Sequence, residues 1–319
     1  MKAVTKEKLD PATLLESLET EEKKAIFTIE TGLLRSLVNH LVEKGFFWFL
    51  PVILTKSTDP LWPDAGASIE KRVELEIYDE KVRTMQSMII HKRILASTGM
   101  DKFFILSPNI RIEKRERAYS GSHLYEFTQL DIEAAYWKME DIFKLFEETL
   151  HDAIRYVNEG FKDELKTLRR EITVPEAPFK VYRRGELEKE YGKEWETVVP
   201  EKLKNPIWVT DIPREFYDFE DEVDGSWRNF DLFLPDGYGE VISGAEREYE
   251  FEKIIRKIRR DGLKTDDFKI LLKYAQEGKL KPSCGAGIGV ERFVSYICGV
   301  EHVAEVQPFP RIPGIVPEL

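Results

Sequence analysis

Two stretches of this chain alternate apolar and polar residues with the period of a β-strand, and one follows closely on the other. Phe103-Phe-Ile-Leu-Ser-Pro-Asn-Ile-Arg111-Ile-Glu113 and His123-Leu-Tyr-Glu-Phe127-Thr-Gln129-Leu-Asp131-Ile-Glu133 predict an antiparallel pair. Alternation puts Arg111 and Glu113 on one face of the first, and Phe127, Gln129 and Asp131 on one face of the second. A cation, an acid, an aromatic ring, an amide and a second acid would share one floor. The connecting loop, Lys114 to Ser122, is polar and basic, suited to closing over a polyphosphate. A third stretch, Cys284-Gly-Ala-Gly-Ile-Gly-Val-Glu-Arg292, predicts an apolar strand with alternate glycines that runs into a helix. Glycines 285, 287 and 289 let a flat group approach the backbone, and Arg292 offers a planar cation to stack on it. The same glycines would serve equally where a helix packs closely.

Other elements frame these. A helix is expected from Thr31 to Glu43, then a strand in Gly45-Phe-Phe-Trp-Phe-Leu-Pro51. Asn229-Phe-Asp-Leu-Phe reads as a strand before a turn at Pro235-Asp-Gly237, a hairpin that would bring Asp231 near Glu240 and Ser243. The charged, proline-punctuated segment 161–225 is expected as an insertion packed against the core, with Val209 to Pro213 a strand returning to the sheet. Lys253 to Arg260 reads as an amphipathic helix whose basic residues form a solvated face. The expected fold class is α+β, a mainly antiparallel sheet flanked by helices, in one catalytic domain over 1–319.

Composition narrows the class. At 319 residues and 42% hydrophobic, the chain can bury a large core, and no apolar run approaches the ~20 residues of a membrane span. The start is polar and lacks a signal-peptide core, so a cytoplasmic location is expected. The two cysteines, Cys284 and Cys298, lack metal-ligand spacing and read as buried packing residues in a reducing compartment. A net charge of −11 argues against a broad nucleic-acid surface.

The three stretches, in this order, resemble the catalytic domain of class II aminoacyl-tRNA synthetases. The likeness is to the aspartyl and asparaginyl branch, and within it to the archaeal asparagine synthetases related to asparaginyl-tRNA synthetase. It runs from about residue 25 to the end. The helix from Thr31 and the strand to Pro51 correspond to the first class motif, which implies a homodimer. The hairpin carrying Arg111 and Glu113 is the second, and the glycine-rich strand ending in Arg292 is the third. Too few residues precede the first motif for the anticodon-binding domain of aspartyl-type enzymes, so tRNA is not the expected substrate.

The resemblance also implies a site. ATP would meet Arg111 at the α-phosphate, Glu113 at the adenine amino group, His123 at the γ-phosphate, and Phe127 and Arg292 on the two ring faces. Mg2+ would sit between Asp231 and Glu240, with Ser243 close by. Met85-Gln-Ser-Met-Ile-Ile-His-Lys92 matches, imperfectly, a family helix start whose lysine grips a carboxylate of aspartate. Arg247, in Glu240-Val-Ile-Ser243-Gly-Ala-Glu-Arg247, would be the second clamp. The family's second glutamine is Ile89 here, which leaves Gln129 and Asp131 to receive the ammonium. Asp64 is weighed as part of a lid and equally as a turn residue.

The resemblance implies an AMP-forming ligase that activates L-aspartate with ATP to β-aspartyl-AMP and amidates it with ammonia to asparagine. No cysteine follows the initiator Met, so the ammonia is expected to be free rather than released from glutamine. Two alternatives stand beside it: a paralogue that passes the activated amino acid to tRNA or a protein, and an inactive amino-acid-binding module.

Overall fold

The computed structural model describes residues 10–61 and 69–318. It opens with α1 (Pro11–Glu16), α2 (Glu21–Glu43), β1 (Phe47–Phe49), β2 (Leu54–Thr55), β3 (Ile69–Lys71), β4 (Glu74–Ile77), β5 (Glu80–Thr84) and α3 (Ile89–Ala96). Next come β6 (Lys102–Ile110), β7 (Ile112–Glu113), β8 (Glu126–Ala135), α4 (Met139–Gly160), α5 (Lys162–Thr167), β9 (Lys180–Arg183), α6 (Arg184–Tyr191), α7 (Trp195–Lys202) and β10 (Ile207–Thr210). The remainder is β11 (Asn229–Leu234), β12 (Gly239–Glu246), α8 (Phe251–Arg260), α9 (Lys269–Gln276), β13 (Ser283–Gly289) and α10 (Val290–Cys298).

Among the described residues, eight strands make the main sheet in the order β1-β6-β8-β13-β12-β11-β10-β9. The outermost pairs, β1 with β6 and β10 with β9, are parallel, and the other neighbours are antiparallel. The expected hairpins form: Ile110 pairs with Glu126 across β6 and β8, and Asp231 with Ser243 across β11 and β12. Segment 161–225 contributes β9 and β10 to the end of this same sheet.

The period of two decides what each sheet face does. Leu130 and Ile132 of β8, Ile242 of β12, and Cys284, Ala286 and Ile288 of β13 are buried in one core with α2, α4 and α10. Ile29, Leu33, Leu37 and Leu41 of α2 recur every four residues and fill that core. Within it Phe143 stacks on Trp208 at 4.2 Å, while Trp208 Nε1 donates to Glu147 Oε1 over 2.9 Å, so the indole is not buried unsatisfied. Each such fully buried apolar side chain contributes about 1.5–3 kcal/mol, so this face holds the sheet in place. The residues between them, Gln129, Asp131 and Glu133, project from the opposite face. There a second apolar cluster joins α3, α8 and α9 through Ile89, Ile254, Ile258 and Leu271.

Helix α8 is amphipathic as expected, but its basic residues are paired with acids rather than simply solvated. Arg256 meets Glu222, Arg260 meets Glu220 and Asp261, and buried Lys257 donates to the Asp218 carbonyl at 2.6 Å. No helix among the described residues is long and apolar enough to cross a membrane.

Candidate active site

Strand register lays out the floor of the pocket. Ile105, Asp131, Gly287, Ser243 and Asp231 lie side by side across β6, β8, β13, β12 and β11. The next row carries Glu133, Gly285, Ala245 and Asn229. At about 4.8 Å per strand, Asp131 and Asp231 stand roughly 14 Å apart. Above this floor opens a cavity of about 760 Å³. All twelve site residues expected from sequence line it: Lys92, Arg111, Glu113, His123, Phe127, Gln129, Asp131, Asp231, Glu240, Ser243, Arg247 and Arg292. Asp64 falls outside the described residues.

One end of the cavity is a set of buried ion pairs. Lys92 Nζ bonds to Asp131 Oδ1 and lies 3.5 Å from Glu133 Oε2. Arg247 Nε is 3.4 Å from the other oxygen of Glu133, and its Nη1 is 2.9 Å from Asp218. Lys92 and Arg247, 155 positions apart, therefore converge on a single carboxylate. Burial works to raise Glu133, but Arg247, Lys92 and Arg93 outweigh it and hold it below the usual glutamate range. Asp131 is pushed up instead by its burial, against the pull of Lys92.

The other end carries arginines and an aromatic ring. Arg111 lies 5.2 Å from the centre of the Phe127 ring and donates through Nε to the Gln86 carbonyl. Arg292, in the first turn of α10, donates to the carbonyls of Ser122 and Glu240, both at 3.1 Å. His123 Nδ1 lies 2.6 Å from Ser120 Oγ, which donates to the Arg117 carbonyl, and 3.0 Å from Ser122 Oγ. Burial and the neighbouring Arg292, Arg117 and Arg111 pull His123 down to about 3, so it is neutral at pH 7.

With this geometry in view, known proteins place the chain. Residues 8–313 match the family described as tRNA synthetases class II (D, K and N). The chain belongs to this family. It is 29% identical to the asparagine–tRNA ligase of Thermococcus kodakarensis, over 93% of this chain and 71% of that protein. It is 30% identical to the aspartate–tRNA(Asp/Asn) ligase of Methanothermobacter thermautotrophicus, over 90% of this chain and 67% of that protein. The crystal structure of asparaginyl-tRNA synthetase from Pyrococcus horikoshii complexed with asparaginyl-adenylate superposes with a TM-score of 0.85 and 27% identity, covering 97% of this chain and 74% of that one. The class II synthetase fold expected from sequence is thus the fold observed. The expectation that tRNA is no substrate gains no support, because these relatives are tRNA ligases.

Two details of the family site differ from expectation here. The first is the glycine stripe. A Cβ on Gly285 would fall 2.0 Å from Glu133 Oε2 and 2.5 Å from the Ile132 carbonyl, so that glycine makes room for a protein carboxylate, not a ligand. Gly287 and Gly289 line the cavity, as a ligand surface requires.

The second is magnesium. Asp231 Oδ2 and Ser243 Oγ both accept from Arg214, a residue sequence reasoning passed over, and Glu240 Oε2 lies 3.5 Å from Arg292 Nη1. Burial, with Glu240 nearby and despite Arg214, pushes Asp231 up to about 7. Among the described residues no group of three or more His, Cys, Asp and Glu side chains is gathered to hold a metal ion. At this place Mg2+ would have to displace Arg214 from Asp231 and Ser243 or share them with it. Asp218 and Glu133 were missed as well. Glu133 had a signal, being the next position in the alternation of Gln129 and Asp131, and Arg214 stands just past the strand expected at Val209.

Proposed function

We propose that this chain forms an adenylate from L-aspartate and ATP and transfers the activated acyl group to ammonia, giving asparagine, AMP and pyrophosphate. The observation that carries the reading is one cavity with Lys92 and Arg247 converging at one end and Arg111 and Arg292 at the other. Lys92 and Arg247, which line the cavity while paired with Asp131, Glu133 and Asp218, are the cations we assign to a carboxylate of aspartate. A β-carboxylate oxygen attacks the α-phosphorus and pyrophosphate leaves. Ammonia nitrogen then attacks the acyl carbon, AMP leaves with the bonding pair, and the nitrogen releases a proton. Arg111 stabilises charge developing at the phosphorus, an electrostatic role that needs no general base. His123 meets a phosphate oxygen, and Phe127 with Arg292 holds the adenine. The groups at which a magnesium ion is expected, Asp231, Ser243 and Glu240, are paired with Arg214 and Arg292.

The named relatives favour a second reading, transfer of the activated amino acid to tRNA. Purified protein incubated with aspartate, ATP, magnesium and ammonium, with and without tRNA, separates the two by mass spectrometry. Asparagine with equal AMP in the absence of tRNA supports the amidation reading. Aspartyl-tRNA without asparagine sinks it, and absence of AMP leaves a binding module. The half-exposed Phe47 and Trp48 and the exposed Leu50, beside the open edge of the sheet, form the surface we assign to a second copy of the chain. A monomer in light scattering would refute that assignment.

A further inference from the structure

We propose that Arg214 is the resident cation of the Asp231 and Ser243 pair, and that its guanidinium binds phosphate oxygens of ATP in the place expected of a protein-held magnesium ion. The second half of this inference rests on the adenylate-forming reading above; the first half does not.

Asp231 and Ser243 face one another in register across β11 and β12, on the floor of the cavity. Arg214 reaches them from the segment after β10, donating through Nη2 to Asp231 and through Nη1 to Ser243. A guanidinium has five N–H donors in a rigid plane, and these two bonds leave three. The side chain lines the cavity, so the remaining donors are available to an anion there. Mg2+ is usually held by one or two carboxylates together with substrate phosphates, and retains several waters. At Asp231 it would have to displace an arginine or sit beside one. Asp231 is 4% exposed, and the cation beside it is Arg214, bonded to Oδ2. Glu240, on the same strand as Ser243, lies against Arg292. Arg214 and Arg292 thus hold the two carboxylates between which a metal was expected, and both line one cavity. A planar pair of N–H groups matches two phosphate oxygens, whereas a lysine would offer only a point charge.

The test combines two titrations on the full chain. Mn2+ is titrated into nucleotide-free protein, with free Mn2+ read by electron paramagnetic resonance. Wild type should bind it weakly. Arg214→Met should bind it at least tenfold more tightly, and adding Asp231→Asn should abolish the gain. ATP binding, followed calorimetrically without aspartate, should weaken about 10- to 100-fold in Arg214→Met, the loss of a charge-assisted contact. Arg214→Lys, which keeps a cation, should still exclude Mn2+ yet bind ATP less well, and it serves if the Met variant does not fold. Tight Mn2+ binding by wild type that Asp231→Asn removes would overturn the resident-cation assignment. Unchanged ATP affinity, or a loss confined to aspartate, would overturn the phosphate contact. If wild type binds no ATP at all, the adenylate reading and the phosphate contact fail together, and the Mn2+ titration alone judges what Asp231 holds.

Discussion

Replacing Gly285 by alanine should damage the protein far more than the same change at Gly289, four residues along the same strand. The new methyl at 285 would stand 2.0 Å from Glu133 Oε2, 2.6 Å from its Cδ and 2.5 Å from the Ile132 carbonyl. The last is backbone inside a paired strand and cannot give way, so Glu133 must swing out. In doing so it loses Ser283 Oγ at 2.7 Å, Arg247 Nε at 3.4 Å and Lys92 Nζ at 3.5 Å. Two buried cations are then left without their shared counterion. Breaking a buried pair from one side costs about 3–5 kcal/mol, and overpacking alone about 1–3 kcal/mol. Taking ~2 °C per kcal/mol for a chain this long, the midpoint of thermal unfolding should fall by ~6–10 °C. At Gly289 the nearest atom is Arg292 Cδ at 3.5 Å, an ordinary contact, and the midpoint should move by no more than ~2 °C. Glu133→Gln should cost a similar amount to Gly285→Ala, and the double variant much less than their sum, because both remove the same anchor. Differential scanning calorimetry decides it. Equal midpoints for the 285 and 289 variants would refute the account of Glu133 as the counterion that holds Lys92 and Arg247 together.

Other consequences follow from the same geometry. Lys92→Met should weaken aspartate binding about tenfold or more with ATP affinity unchanged, and calorimetry showing normal aspartate binding would end the two-cation cage. Arg111→Ala and Arg292→Ala should each lower AMP formation by about 10²-fold or more in a coupled assay, and wild-type turnover in either would remove that arginine from the reaction. His123 titrates near 3 in the folded protein against 6.5 when unfolded. Below pH 6.5 the unfolded chain takes up a proton that the native state refuses, so stability present above that pH is lost as pH falls. Denaturant midpoints at pH 7 and pH 4.5 should therefore differ less for His123→Gln than for wild type, and an equal difference would show that His123 is not held neutral.

The strands at 102–113, 126–135 and 283–289 were legible because alternation and glycine spacing are local signals, and so was the membership of the floor. What the floor residues bond to was not. Arg214 meets Asp231 and Ser243 through pairing of β10 with β11 and of β11 with β12, which no spacing in the sequence announces. Segment 161–225, expected as an insertion with Val209 to Pro213 returning to the sheet, does place β10 beside β11, and it adds β9 at the end of the sheet, a strand no local pattern announced. Gly285 was grouped with Gly287 and Gly289 by spacing alone, and only the position of the Glu133 carboxylate separates them. Helix α2 begins at Glu21, ten residues before the expected Thr31, where Thr20 caps it by accepting from the Lys23 amide.

The order of strands in the sheet also bears on how the molecule comes together. Strand β13 is the last of them in sequence but lies inside the sheet, between β8 and β12. Until residues 283–289 leave the ribosome, the half holding Arg111, Phe127, Gln129 and Asp131 has no strand joining it to the half holding Arg214, Asp231, Glu240 and Ser243. Pairing Ser283 with Ala135 closes a loop of nearly 150 residues, a late and slow event for a growing chain. Ligand binding thus becomes a report on completed synthesis: a nascent chain stopped short of β13 carries nearly all of the lining side chains but lacks the strand that sets its two halves side by side.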